Sequence, residues 1–421
     1  MRHRLIACLL TGFVSTSAQA DTWITADRML DVENGRYVDD PVIRADEGGR
    51  IVSIDSGGSV PAGQEHIDFA GHTLMPGLID MHVHLDGSPR YGGYSGLQFT
   101  DNLWPIVGAT NAEAMLRAGF TTVRNLGASD YNAVAIKQAV EEGWVEGPRI
   151  VPAGHSLGAT GGHCDATYFP PSFEAKSPAI GDGPQQLRQR VREQRKNGAE
   201  VIKVCATGGV FSRNTEPGQQ QLSEDELRAV AEEARMWGLK SAAHAHGAAG
   251  IKAAIRAGID TIEHASLVDE DGIRLARDRG TYFAMDIFNT EYTQAEGAKN
   301  GVAEDNLRKD REIAQIQRDN FRRAHEAGVQ MVFASDAGVM PHDMAGGQFR
   351  IMVDYGMTPL EAIQAATVTA AEALGQGDDI GRIAVGYFAD MIAVDGDPLA
   401  EITELEDVDA VVKGGQLILA N

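Results

Sequence analysis

The chain has 421 residues, 43% of them apolar and 23% charged, a balance that excludes a disordered or collagen-like polypeptide. One core does not usually grow to this length, so a main domain of roughly 250–300 residues with a smaller companion is expected. Acidic residues outnumber basic ones, 60 to 37, and the formal charge of −23 makes nucleic acid and anionic membranes poor partners.

Residues 1–20 read as a secretory signal peptide. A short basic start, Met1 to Arg4, leads into an apolar run from Leu5 to Val14 and the small-x-small end Ala18-Gln19-Ala20, with cleavage expected before Asp21. The run is far short of the ~20 residues that a membrane-spanning helix needs. The expected address is therefore periplasmic or secreted. Cys8 leaves with the signal, and Cys164 and Cys205 remain. Two cysteines make no disulfide framework, but an oxidising compartment permits one bridge between them.

Residues 22–73 are strand-like pieces with turn signals at Glu33-Asn34-Gly35 and Glu47-Gly48-Gly49, and the C-terminal stretch is similar. Each is too short to fold alone. Residues 21–73 and 375–421 are expected to pair into one small composite, sandwich-like β-domain. Between them, residues 74–374 alternate strand and helix, with candidate strands at 74–84, 121–125, 150–153, 201–206, 241–246, 261–264, 282–285 and 331–335. Glycines in Ala118-Gly119-Phe120, Ala257-Gly258-Ile259 and Ala327-Gly328-Val329 suit left-handed helix ends. Ser223 opens a helix with an acidic first turn. Eight such units point to a parallel sheet closed as a TIM (β/α)8 barrel. An open doubly wound sheet is disfavoured, because no glycine-rich phosphate loop follows the first strand.

A barrel of this kind keeps its chemistry at the C-terminal ends of its strands. His82 and His84 close the first strand, and period 2 puts both on one face. His244 closes the fifth strand and His264 the sixth, while Asp336 follows the eighth. Lys203 sits in the apolar fourth strand, a costly place for an isolated cation. Taken singly, each has a bland explanation: a packed core histidine, a helix cap, a snorkelling lysine. Taken together at one mouth they form a ligand set for zinc or a divalent neighbour. His163, in the loop Gly161-Gly162-His163, and His246, two residues past His244, are candidates to polarise a substrate carbonyl. Arg213 follows the lysine strand on a glycine-rich loop and is a candidate clamp for a substrate carboxylate, with a solvated surface arginine as the alternative. His155 and His342 fall on loops, the latter where a specificity residue would sit.

Asp80-Met81-His82-Val83-His84, Lys203, His244, His264 and Ser335-Asp336 resemble the metal site of the amidohydrolase superfamily. The framing segments Leu74-Met75-Pro76-Gly77-Leu78-Ile79-Asp80 and Gly386-Tyr387-Phe388-Ala389-Asp390 resemble it too. The resemblance implies two divalent ions, most often zinc. His82, His84 and Asp336 would hold one and His244 and His264 the other, with Lys203, carboxylated by CO2, bridging both. The segments Ile202-Lys203-Val204-Cys205-Ala206-Thr207-Gly208-Gly209-Val210 and Gly161-Gly162-His163 resemble one branch, the metal-dependent carboxypeptidase-like Xaa-Pro dipeptidases and ochratoxin-hydrolysing amidohydrolases. That branch cleaves an amide to a C-terminal amino acid, which implies small-molecule or dipeptide substrates, Asp336 as general base and a homo-oligomer. Deamination of a heterocycle is disfavoured, because Lys203 is present and no Glu follows His244 in Ala245-His246-Gly247-Ala248. A lactonase or cyclic-amide hydrolase would use the same metals. A non-catalytic binding protein is disfavoured, since every ligand position is filled.

Overall fold

The computed structural model describes residues 21–420, so the expected signal segment 1–20 lies outside the described residues. The N-terminal part supplies β1 (Thr22–Asp31), β2 (Arg36–Asp39), β3 (Pro41–Ala45), β4 (Ile51–Ser56) and β5 (Glu65–Pro76). The middle supplies β6 (Leu78–Val83), β7 (Phe120–Asn125), β8 (Arg149–Pro152), β9 (Val201–Cys205), β10 (Lys240–Gly247), β11 (Thr261–Leu267), β12 (Tyr282–Ala284) and β13 (Met331–Val332). The C-terminal part adds β14 (Met391–Asp395), β15 (Ala410–Lys413) and β16 (Gln416–Ala420).

Both ends of the chain share one sheet in the order β16-β15-β14-β5-β1-β3-β4, with β2 also on β1. Burial alternates along much of β1, as a strand with one covered face requires. Ile24, Ile43, Ile51, Leu74, Met391 and Val412 meet in a small core of their own. The expected first strand, 74–84, divides at Gly77. Residues up to Pro76 pair with β14 in the outer sheet, and Leu78 begins the inner one. A Cβ at Gly77 would sit 2.2 Å from Thr121 Oγ1, so only glycine passes between the two sheets.

The eight inner strands, β6 to β13, form two parallel arcs, β6-β7-β8 and β9 to β13. At one seam Leu157 N donates to Lys203 O and Cys205 N to Leu157 O, both at 2.8 Å. At the other, Asp336 N donates to His82 O at 2.8 Å and His84 N to Ala337 O at 2.7 Å. The architecture is a TIM-like α/β barrel with an end domain. The helices between strands follow their sequence signals. Ser223 Oγ accepts from Glu226 N while the Glu226 carboxylate accepts from Ser223 N, a capping box worth about 1 kcal/mol. Gly258, at φ +90°, ends the helix Ala248–Ala257. Among the described residues no helix is long and apolar enough to cross a membrane.

Candidate active site

The parallel strands bring their C-terminal ends to one mouth, around a cavity of about 220 Å³ lined by His82, His84, Lys203, His244, His264 and Asp336. His82 Nε2 and His84 Nε2 each lie 3.5 Å from Asp336 Oδ1, and Lys203 Nζ lies 3.2 Å from His82 Nε2. The ring of His264 is 5.1 Å from that of His82 and 4.6 Å from that of His244. The structure thus assembles all six residues read from the sequence as metal ligands. His264 and Asp336 hold left-handed backbone conformations at φ +67° and +55°, and Ala265 does so at +46°. Such conformations cost on the order of 1–3 kcal/mol each and persist where the surroundings fix them.

A second layer aims these groups. His84 Nδ1–H donates to Gly127 O at 2.9 Å and His264 Nδ1–H to Asp286 Oδ1 at 2.7 Å, which leaves each Nε2 lone pair facing inward. Gln317 and Asn289 hold the Asp286 carboxylate in turn. Glu263 Oε2 lies 3.1 Å from His82 Nδ1, off the line of a good hydrogen bond, and neither atom has another partner. The other oxygen of Glu263 accepts from the fully buried Arg124, whose Nε also donates to Met81 O. Asp80 accepts from His82 N and from the Ser335 hydroxyl, tying β6 to the turn that carries Asp336.

Burial sets the charge states. It holds His82, His244 and His246 well below the usual imidazole range, and Lys203 and neighbouring histidines push the same way. His84 is lowered to about 4 and His163 to about 3, again chiefly by burial. Burial alone would lower His264 too, but the combined pull of Asp286 and Asp336 leaves it above the usual value. Burial brings Lys203 down to about 8 against the pull of Glu263 and Asp336. It lifts Asp336 to about 7, helped by Asp286 and opposed by His264 and Lys203.

Inward-facing lone pairs crowded in this way fit divalent metal. Three groups of donors, each within 4.8 Å, are His82 with His84 and Asp336, His244 with His246 and His264, and His264 with Asp286 and Asp336. Neutral imidazoles with carboxylates suit zinc and its neighbours. The orphaned pair His82 Nδ1 and Glu263 Oε2 also fits, because a ligand drawn onto an ion donates its outer N–H to a carboxylate.

The remaining expected residues divide. His163 lines the cavity and stacks on His244, with ring centroids 4.1 Å apart. His246 also lines it, but stacks on His264 and joins His244 and His264 as a donor, closer to the ligand set than a carbonyl contact requires. Arg213 does not reach the cavity. Its side chain is exposed and donates to Tyr94 Oη at 3.0 Å, so the carboxylate clamp expected of it is not formed there. His342 is buried, and its Nε2–H donates to His84 O at 3.2 Å, so it supports a ligand strand and does not line the cavity. His155 packs edge-on against Tyr131. Cys164 and Cys205 are joined by a disulfide at the cavity wall. Glu263, Asp286 and Arg124 escaped the sequence reading. Asp286 lies two residues past the end of the seventh strand, a position like that of Asp336, and Arg124 sits in a wholly buried strand as Lys203 does.

Comparison with known proteins agrees with this geometry. The model of the Amidohydrolase family matches residues 73–418. An ochratoxinase of Aspergillus niger is 33% identical over 370 residues, covering 82% of this chain and 75% of that protein. A Xaa-Pro dipeptidase structure with bound methionine in its active site superimposes with a TM-score of 0.89 at 34% identity, covering 95% of this chain and 100% of the other. A prolidase complexed with N-methylphosphonate-L-proline gives a TM-score of 0.87 at 33% identity, with the same coverage. The chain belongs to the amidohydrolase family and is a metal-dependent hydrolase acting on amide bonds.

Proposed function

We propose that the protein is an exported binuclear amidohydrolase that hydrolyses the C-terminal amide bond of dipeptides or N-acyl amino acids, with Xaa-Pro dipeptides and ochratoxin A as the compounds to try. The observation that carries this reading is Lys203, buried 3.2 Å from His82 and brought to about 8, where a share of neutral amine can add CO2. Carboxylated, it would carry two oxygens between the two histidine pairs. His82, His84 and Asp336 would hold one zinc ion, and His244 and His264 the other. Two such ions would supply hydroxide at neutral pH by lowering the pKa of water, and would draw electrons from the scissile carbonyl.

The chain's own groups manage the protons and the substrate. Asp336 takes the proton of the attacking water and delivers it to the leaving nitrogen. His163, kept neutral by burial, presents its Nε2 side while Nδ1 is hydrogen-bonded to Ser212 Oγ at 2.8 Å. An N–H there polarises the carbonyl and holds the developing oxyanion. His246 completes the polar wall. The substrate carboxylate is met by a group other than Arg213.

Metal content per chain, measured on protein purified without chelators, should approach two equivalents. About one equivalent that zinc and bicarbonate fail to raise would remove the Lys203 bridge. Asp336→Asn should cut turnover of a cleaved Xaa-Pro dipeptide by two to four orders of magnitude, the range typical of a lost general base, and unchanged turnover would remove Asp336 from that role. Export predicts that protein recovered outside the cytoplasm begins at Asp21, which N-terminal sequencing reads directly.

A further inference from the structure

His163 belongs to a stretch between β8 and the helix Pro184–Lys196 that holds little regular structure of its own. Its imidazole nevertheless occupies a slot with almost no play. One face stacks on His244 at 4.1 Å and 17°. Against the ring lies Gly209, where an added Cβ would come 2.4 Å from Cε1. The edge is tied to Ser212 Oγ, and the backbone N–H of His163 donates to Gln221 Oε1 at 2.8 Å. The next residue, Cys164, forms a disulfide with Cys205. Cys205 ends β9 two residues after Lys203, and both line the cavity. The bridge closes 41 residues of chain with Cα atoms 5.9 Å apart, and is the one covalent tie between this loop and the barrel among the described residues.

We propose that the Cys164–Cys205 disulfide is a positioning device, holding His163 in its slot over His244, so that carbonyl polarisation depends on the oxidised form. The proposal rests on the amide-hydrolysis reading above. Forming the bridge joins two thiol sulfurs and releases two protons and two electrons. A disulfide-bearing oxidant accepts these by exchange, its own S–S bond becoming two thiols. In a reducing compartment the reverse exchange would remove this covalent tie, and His163 would be held by its stack on His244, the hydrogen bond of its ring to Ser212 and that of its backbone N–H to Gln221.

The test compares the oxidised wild type, Cys164→Ala/Cys205→Ala, His163→Ala and the triple variant, all loaded with zinc, on one cleaved amide substrate. Metal content should be equal throughout. The cysteine pair should lose about tenfold or more in kcat with little change in KM, less than the 10²–10³ expected from deleting an oxyanion donor outright. In the His163→Ala background the same cysteine changes should cost nothing further. Hydrogen exchange at residues 158–166 should rise in the cysteine pair. Unchanged kcat, or a loss that simply multiplies with that of His163→Ala, would overturn the proposal, since a merely structural bridge lowers both backgrounds alike. If the cysteine pair does not fold, wild type reduced by a phosphine, alkylated and assayed with zinc present gives the same comparison. If the wild type cleaves no amide at all, the functional reading fails, and the bridge is then judged by hydrogen exchange: unchanged protection at His163 sinks it.

Discussion

Glu263 and His342 do not line the cavity themselves but lie against histidines that do. The Glu263 carboxylate pairs with Arg124 through one oxygen and places the other 3.1 Å from the outer nitrogen of His82, where that N–H would be met once an ion drew the ring inward. Glu263→Gln keeps the shape and removes the charge. It should weaken zinc binding by about 10–100-fold, the usual effect of losing such a support, read by competition with a chromogenic chelator. His342 offers a pH signature. Burial lowers it from 6.5 to about 4, so in the unfolded chain it takes up a proton as pH falls below 6.5, while in the fold it stays neutral. Its depressed value means that its contribution is present above pH 6.5 and fades towards pH 4. The stability gap between wild type and His342→Gln in urea melts should therefore shrink by roughly 2 kcal/mol from pH 7.5 to pH 5. The six residues read as metal ligands were legible in the sequence through alternation, strand ends and, for Lys203, an apolar strand, and the structure brings them to one cavity. The sequence hid Glu263, because alternation puts neighbours on opposite faces. Here the left-handed backbone at His264 breaks the period, and Glu263 and its neighbour both approach His82.

At the scale of elements, the signals that worked were local. Glycine helix ends and the Ser223 cap depend on a few adjacent residues, and they appear where the sequence places them. The division of residues 74–84 at Gly77 was not local. Pro76-Gly77 marks a break in this stretch, but nothing near it tells that Leu74 to Pro76 pair with a strand more than three hundred residues on, whereas Leu78 to Val83 pair with β7. Gly77 is the joint between these two commitments. Gly77→Ala pushes a methyl group into Thr121, and the strand pair must shift to admit it. A loss of about 1–3 kcal/mol follows, visible as a lower Tm, whereas Gly77→Ala together with Thr121→Ser should recover part of it. Arg213 and His342 were misread for a related reason. A position on a loop after a barrel strand says that a side chain is near the mouth, but only the path of the loop decides whether it turns towards the cavity or away from it.

The whole molecule is organised around a sheet that neither end of the chain can complete alone. β5 lies between β1 on one side and β14 on the other, so the first and last parts of the chain are neighbours across it. Contacts this distant in sequence make for slow folding, because the ends must find each other after a long loop closes. Until Met391 to Asp395 arrives, β5 carries a bare edge of unpaired backbone groups beside the apolar residues Leu74 and Met75. A bare edge of that kind pairs readily with another copy. A growing chain thus holds this edge open while more than three hundred further residues are made, an interval in which two copies can pair along it.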